Sequence, residues 1–151
     1  MGANTQGICN SFKTEILNGI HAFGTTVIRA GTTKDSFKGA LFLVNKSIGP
    51  ATTAYSSSGE VSSDNYSAGG AAITNANAPS LDGSTAIWTP SASLSWSGVT
   101  FESFDTLLVY NSTQSDKAVA AYNFGAQSIV AGTFTITMPS NAAATALLQL
   151  A

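Results

Sequence analysis

The sequence predicts an all-β protein: a β-sandwich, jelly-roll-like, with a short N-terminal α-helix in front of it. Three observations carry this. From Phe37 to the C-terminus, short runs of β-compatible residues alternate with turn signals at the spacing of sandwich and barrel strands. Ser and Thr make up about a quarter of the chain, a clear excess over average usage, and many sit at alternate positions of those runs. Helical periodicity is confined to the start of the chain. The division that follows is an N-terminal helical arm over residues 1–24 and a β-sandwich domain over residues 25–151.

The helix is read from Ile8, Phe12, Ile16, Leu17, Ile20 and Phe23, which share one face at three-and-four spacing. Asn10 and Ser11 offer capping oxygens and Gly24 a stop, while Gly19 weakens the second half by about 1 kcal/mol relative to Ala. Its apolar face either packs on its own domain or docks on a neighbour. In the second case Phe12, Ile16, Ile20 and Phe23 are the candidate interface residues.

Thr25 to Ile28 reads as a β-like patch and Ala30 to Thr33 as a turn. Phe37 to Val44 has large residues on both faces and is expected to be a central strand. From Ser47 to Gly70 the chain reads as one long loop, anchored by Tyr55, Val61 and Tyr66, of the kind that often makes contacts. Ala71 to Thr74 is a weak strand, and Ser84 to Thr89 a better one. Ser93 to Val99 alternates cleanly, with Leu94 and Trp96 on one side and Ser93, Ser95 and Ser97 on the other. Phe104 to Tyr110 is dense enough for a strand buried on both faces. The polar run Asn111 to Asp116 reads as a hairpin loop, followed by strands at Lys117 to Phe124, Gly132 to Met138 and Ala144 to Leu150.

Composition excludes several functions. The chain has 151 residues, the size of one domain. Charged residues are 9% of it, against roughly 25% in an average soluble protein. A net charge of −2 and a mean hydropathy of +0.17 argue against disorder. Six Lys and Arg against eight acids make no phosphate-neutralising surface, so no nucleic-acid partner is expected. No membrane partner is expected either, because no apolar run reaches membrane-helix length. The N-terminal residues lack a signal-peptide pattern, which predicts synthesis in the cytoplasm. One Cys and one His exclude a disulfide framework, a multi-Cys metal site and a two-histidine metal site. No metal or cofactor is expected.

Catalytic signatures are missing from the sequence. His21 is the sole candidate general base, and it sits on the helix beside Ile20 and Phe23, where a structural role fits best. Cys9 reads as a small buried hydrophobe. Glu60 with Asp64, or Glu102 with Asp105, could form an acid pair for glycoside hydrolysis, but the Ser-rich loop around the first pair points to solvated carboxylates. Asp64 and Asn65 match no EF-hand pattern. Trp88 and Trp96 could build a sugar-stacking platform, although the alternation around Trp96 places it in a core. No catalytic residue is assigned, and the expectation is a protein that is not an enzyme.

Two stretches carry a resemblance. One runs through Asp35-Ser36-Phe37-Lys38-Gly39-Ala40-Leu41-Phe42-Leu43, Thr52-Thr53-Ala54-Tyr55, Gly59-Glu60-Val61 and Asn65-Tyr66-Ser67-Ala68-Gly69-Gly70. The other holds Leu108-Val109-Tyr110-Asn111, Lys117-Ala118-Val119-Ala120 and Asn123-Phe124-Gly125. With the opening Asn4-Thr5-Gln6-Gly7-Ile8-Cys9-Asn10-Ser11-Phe12-Lys13, the chain resembles small virion structural proteins of tailed bacteriophages. It departs from them at Gly24 to Lys34, which looks like an extra segment. The resemblance implies a non-enzymatic virion component made in the bacterial cytoplasm. Capsid cement or decoration is the role expected first, with the major capsid protein lattice as partner and a homodimer or homotrimer as the working form. A tail, neck or fibre component contacting a host receptor is the alternative within virions. A carbohydrate-binding module is the alternative outside them.

Overall fold

A computed structural model describes residues 2–17, 19–25, 33–74 and 76–151. In chain order the elements are β1 (Gly7–Ile8), α1 (Asn10–Leu17), β2 (Phe37–Leu43), β3 (Ala71–Ala72), β4 (Ser80–Asp82), β5 (Thr85–Trp88), β6 (Leu94–Asn111), β7 (Lys117–Ile136) and β8 (Leu148–Leu150). The protein is all-β, with every strand pair antiparallel. One sheet has the order β1-β7-β6-β2-β3 and a smaller one the order β4-β5-β8.

The helix is half the length its apolar pattern predicts. Gly19, at φ 66°, donates its N–H to Ile16 O at 2.9 Å, and Ile20 donates to Glu15 O at 3.0 Å. This is a Schellman stop, and the glycine inside the periodic run supplies the left-handed residue it needs. Residues 26–28 of the expected β-patch, and most of the extra segment, lie outside the described residues.

Four expected strands are two. Ser93–Val99 and Phe104–Tyr110 belong to the 18-residue β6, and the two runs after Lys117 belong to the 20-residue β7. Their pairing slips at Trp96/Val99, Val99/Phe101, Phe101/Phe104 and Phe104/Thr106. Such irregularities bend a ribbon. Phe124 and Phe134 show how far it bends: ten extended residues span about 33 Å, yet these two β7 rings lie 5.4 Å apart. Leu94 likewise reaches back over β2, so that a Cβ built on Gly39 would lie 2.7 Å from Leu94 Cδ1. The β6–β7 ribbon therefore folds over and makes both layers of a sandwich-like core, turning its corner through bulges.

The core lies between these layers. Leu41, Phe42, Phe104, Leu107, Leu108 and Val109 are all buried, and β2 is covered on both faces as its sequence predicts. Ser95 and Ser97 face solvent while Leu94 and Trp96 face inward, again as the alternation predicts. β4 answers to no expected strand, because Ser80, Leu81 and Asp82 are all exposed and their sequence carries no alternation.

Candidate functional site

Three of the four candidate interface residues meet in one place. Phe12, Ile16 and Phe23 line an apolar cleft of about 80 Å³ together with Trp88, Leu148 and Leu150. Its two walls are α1 with the segment after it, and the face of the small sheet. Phe23 stacks on Phe37 at 4.4 Å and meets Trp88 edge-on at 4.8 Å. Ile20 does not line the cleft.

Phe12 is fully buried in the chain's own core, with Cys9 beside it in sequence also buried. β1 just before them pairs with Ala120 and Ala121 of β7. In the single chain this segment is therefore part of the sandwich, and Phe12 offers no surface to a neighbour. Ile16 and Phe23 stay half-buried at the cleft. Within the cleft rim, Pro79 and Leu150 reach solvent, Leu150 at 48% exposure.

A polar network anchors α1 and the segment behind it. Glu15 Oε2 lies 2.8 Å from His21 Nε2, and Glu15 Oε1 accepts from Lys117 Nζ at 3.0 Å. Asn111 sits at the end of β6 with its Oδ1 accepting the N–H groups of Thr113 and Gln114. Its Nδ2 therefore faces the other way and donates to Asp35 Oδ2 at 2.7 Å and to His21 Nδ1 at 3.1 Å. These partners assign His21 as the Nε2–H tautomer, donating to Glu15. Asp35 also accepts from the Ala22 N–H and from Gln114 Nε2, closing the neck of the 22–35 segment. Burial pushes the Glu15 carboxyl up, but the hydrogen bonds from His21 and Lys117 and the Lys117 charge outweigh it and hold the group below its ordinary range. His21 is thus a structural histidine, as the sequence predicts, although it lies past the end of α1 and not on the helix.

Glu60 corrects an expectation. It is not a solvated carboxylate: Tyr55 Oη donates to Oε2 at 2.6 Å, and Tyr66 Oη and the Gly69 N–H donate to Oε1 at 2.7 and 2.8 Å. Asp64, its expected companion, is exposed and takes no part in these bonds. Both Glu60 oxygens are used in tying the long loop to β2, where Tyr66 Oη also accepts from Leu41 N at 3.0 Å. Glu102 shares a cavity of about 340 Å³ with Glu60, but Glu60 enters it already hydrogen-bonded. Asp105 bonds Asn4 and Thr106. Among the described residues no group of three or more His, Cys, Asp and Glu could hold a metal.

All four tyrosines are driven above their ordinary range. Burial is the first cause each time, reinforced by Glu60 at Tyr55 and Tyr66 and by Cys9 at Tyr122. Tyr110, beside Asp116 and Glu60, is pushed up to about 12. Groups raised in the folded state stabilise it below the unfolded value, about 10, and that contribution is lost as pH rises past it. Titrating phenolate absorbance is therefore expected to give almost no signal at pH 10 to 11 and a single cooperative rise as the chain unfolds above that. Four tyrosines ionising near pH 10 in a chain still folded by circular dichroism would contradict this packing. Cys9 is similarly raised to about 11 by burial and then by Glu15, which makes it an inert thiol.

Neither tryptophan presents a face for a sugar. Trp88 and Trp96 are both buried, Trp88 donating to Asn77 O at 3.2 Å and Trp96 stacked on Phe134. The large apolar side chains exposed among the described residues are Leu81 (72%), Val130 (83%) and Leu150 (48%). Leu81 and Leu150 lie on β4 and β8, the two edges of the small sheet. Val130 lies on β7 beyond its short pairing with β1. The neutral strands predict edges open to pairing but do not say which ones, although no charged residue follows Lys117. No family model, curated protein or solved structure matches the chain.

Proposed function

We propose that the chain is a non-enzymatic structural protein of a tailed-bacteriophage virion, acting as a capsid cement that holds the head lattice through protein–protein contacts. The observation that carries this reading is where the exposed apolar side chains sit. Leu81, Val130 and Leu150 all lie on strands with an open edge, in a chain with only 9% charged residues. Open edges are contact elements, and proteins that work alone normally blunt them with Lys or Pro. A cement protein needs such edges and no reaction centre. It stabilises a shell by binding the assembled lattice better than free subunits. The polar side chains that could serve chemistry, Glu15, His21, Asp35 and Glu60, are consumed in internal ties, which supports the same reading.

Copy number in purified virions tests it. Abundance on the scale of the major capsid protein, with labelling over the head, is expected. A few copies at one vertex would assign the chain to the tail or neck, and absence from virions would end the proposal. Removing residues before Phe23 is a poor test, since Phe12 and Cys9 belong to the core. Exposed residues serve better. Leu81→Glu and Val130→Glu are expected to keep the melting temperature within about 2 °C and to weaken binding to capsids lacking the protein. Unchanged binding by both variants would remove these edges from the contact.

A further inference from the structure

We infer that a second copy of this chain pairs with the open edge of β8, strand against strand, about a two-fold axis through Gln149. Among the described residues, β8 is the outer strand of the small sheet, bonded to β5 on one side only. Its three residues, Leu148-Gln149-Leu150, read the same in both directions. An antiparallel strand pair has two-fold symmetry, and an isologous contact requires the same patch on both partners. Centred on Gln149, this pairing sets Leu148 opposite Leu150 of the second copy and Gln149 opposite its own equivalent.

The side chains fit that register. Opposed residues of an antiparallel pair share a face, and the pairs Trp88↔Leu148 and Ala86↔Leu150 place both β8 leucines on the cleft side of the sheet. In the joined sheet, Trp88 and Leu148 of one copy continue into Leu150 and Ala86 of the other, giving unbroken apolar rows across the junction. Leu150, now 48% exposed, would be covered by Leu148 of the second copy. Charge does not oppose this occupant. β8 has no charged residue, nor does any position after Lys117, so an identical strand meets it without repulsion and with matching neutrality. Self-pairing of β8 is a property of the chain alone and goes beyond the virion reading, which can fail without touching it.

Charge swapping across the axis tests the register in the full-length chain. Gln149 is exposed, so Gln149→Glu and Gln149→Lys are expected to leave the circular dichroism of the folded chain unchanged. The wild-type chain is expected to sediment as a dimer. Each variant alone sets like charges face to face and is expected to dissociate about tenfold more readily or worse, while an equimolar mixture at low salt recovers the dimer. Val130→Lys, on the β7 edge, should leave the dimer intact. A monomeric wild-type chain overturns the inference, as does a dimer unmoved by both Gln149 variants. Failure of the mixture to recover overturns the two-fold through Gln149, and loss of the dimer in Val130→Lys moves the interface to β7.

Discussion

Gly70→Ala is expected to cost about 3 kcal/mol or more, a large part of the roughly 5–15 kcal/mol that holds a domain of this kind together. Gly70 sits at φ 73°, a left-handed conformation that costs other residues about 1–2 kcal/mol. Space is the larger difficulty. A Cβ there would overlap the carbonyl oxygen of Gly39 and lie 2.6 Å from its carbonyl carbon and 2.7 Å from Ala40 Cα. These atoms are backbone, in the buried central strand β2, and cannot rotate away as a side chain would. Gly70 also opens β3, whose Ala71 pairs with Gly39, so displacing it strips the edge of the sheet. Gly83→Ala is the control: φ is 62° there, but nothing lies within 4 Å of the built Cβ. Denaturant titration is expected to show about 1–2 kcal/mol for Gly83→Ala, the conformational cost alone. Equal losses at the two positions would mean that the close approach of Gly70 to β2 is not what holds this edge.

The alternation of Trp96 with serines and the double-sided apolar run at Phe37 to Leu43 reveal strands because each strand's burial pattern is written locally. The helix was overread for a related reason. Its apolar period continues to Phe23, but Gly19 ends it, and periodicity has no way to weigh one glycine against the two further pattern residues, Ile20 and Phe23. The fusion of four strands into β6 and β7 was hidden because a bulged corner looks like a loop in sequence. The contact of Phe124 with Phe134 shows that the strand runs on and turns back. For the cleft, the helix-face pattern contains Phe12, Ile16 and Phe23, yet the small sheet that completes it is remote in sequence. The polar network was out of reach altogether: Asn111 meets Asp35 across 76 positions and Lys117 meets Glu15 across 102, and no motif spans such separations.

Asn111→Ala tests that network where it is most concentrated, and is expected to cost about 3–5 kcal/mol, the range for breaking a buried charged interaction on one side only. The side chain is fully buried and makes four hydrogen bonds, two through each end of its amide. Its removal strips two caps from the β6–β7 turn and leaves the buried Asp35 carboxylate short of its nearest donor, 2.7 Å away. Asp35 in turn holds the Ala22 N–H, so the segment carrying His21 and Phe23 loosens with it. Asp35→Ala is expected to show coupling: the double variant should lose less than the two single losses together, because each removes the other's reason to be buried. Asn111→Asp separates the two ends of the amide. It keeps an oxygen for the Thr113 and Gln114 N–H groups but sets a second carboxyl against Asp35. Two acids sharing a site hold a proton above the ordinary carboxylate range. The folded variant then binds more protons than the unfolded chain, so its stability is present at low pH and falls as pH rises through that range. The wild-type chain, with Glu15 held below its ordinary range, should instead lose stability as pH falls. Opposite slopes of denaturant midpoint against pH for the two proteins are the expected result. Parallel slopes, or a loss under about 1 kcal/mol for Asn111→Ala, would mean that the amide caps the hairpin and does no more.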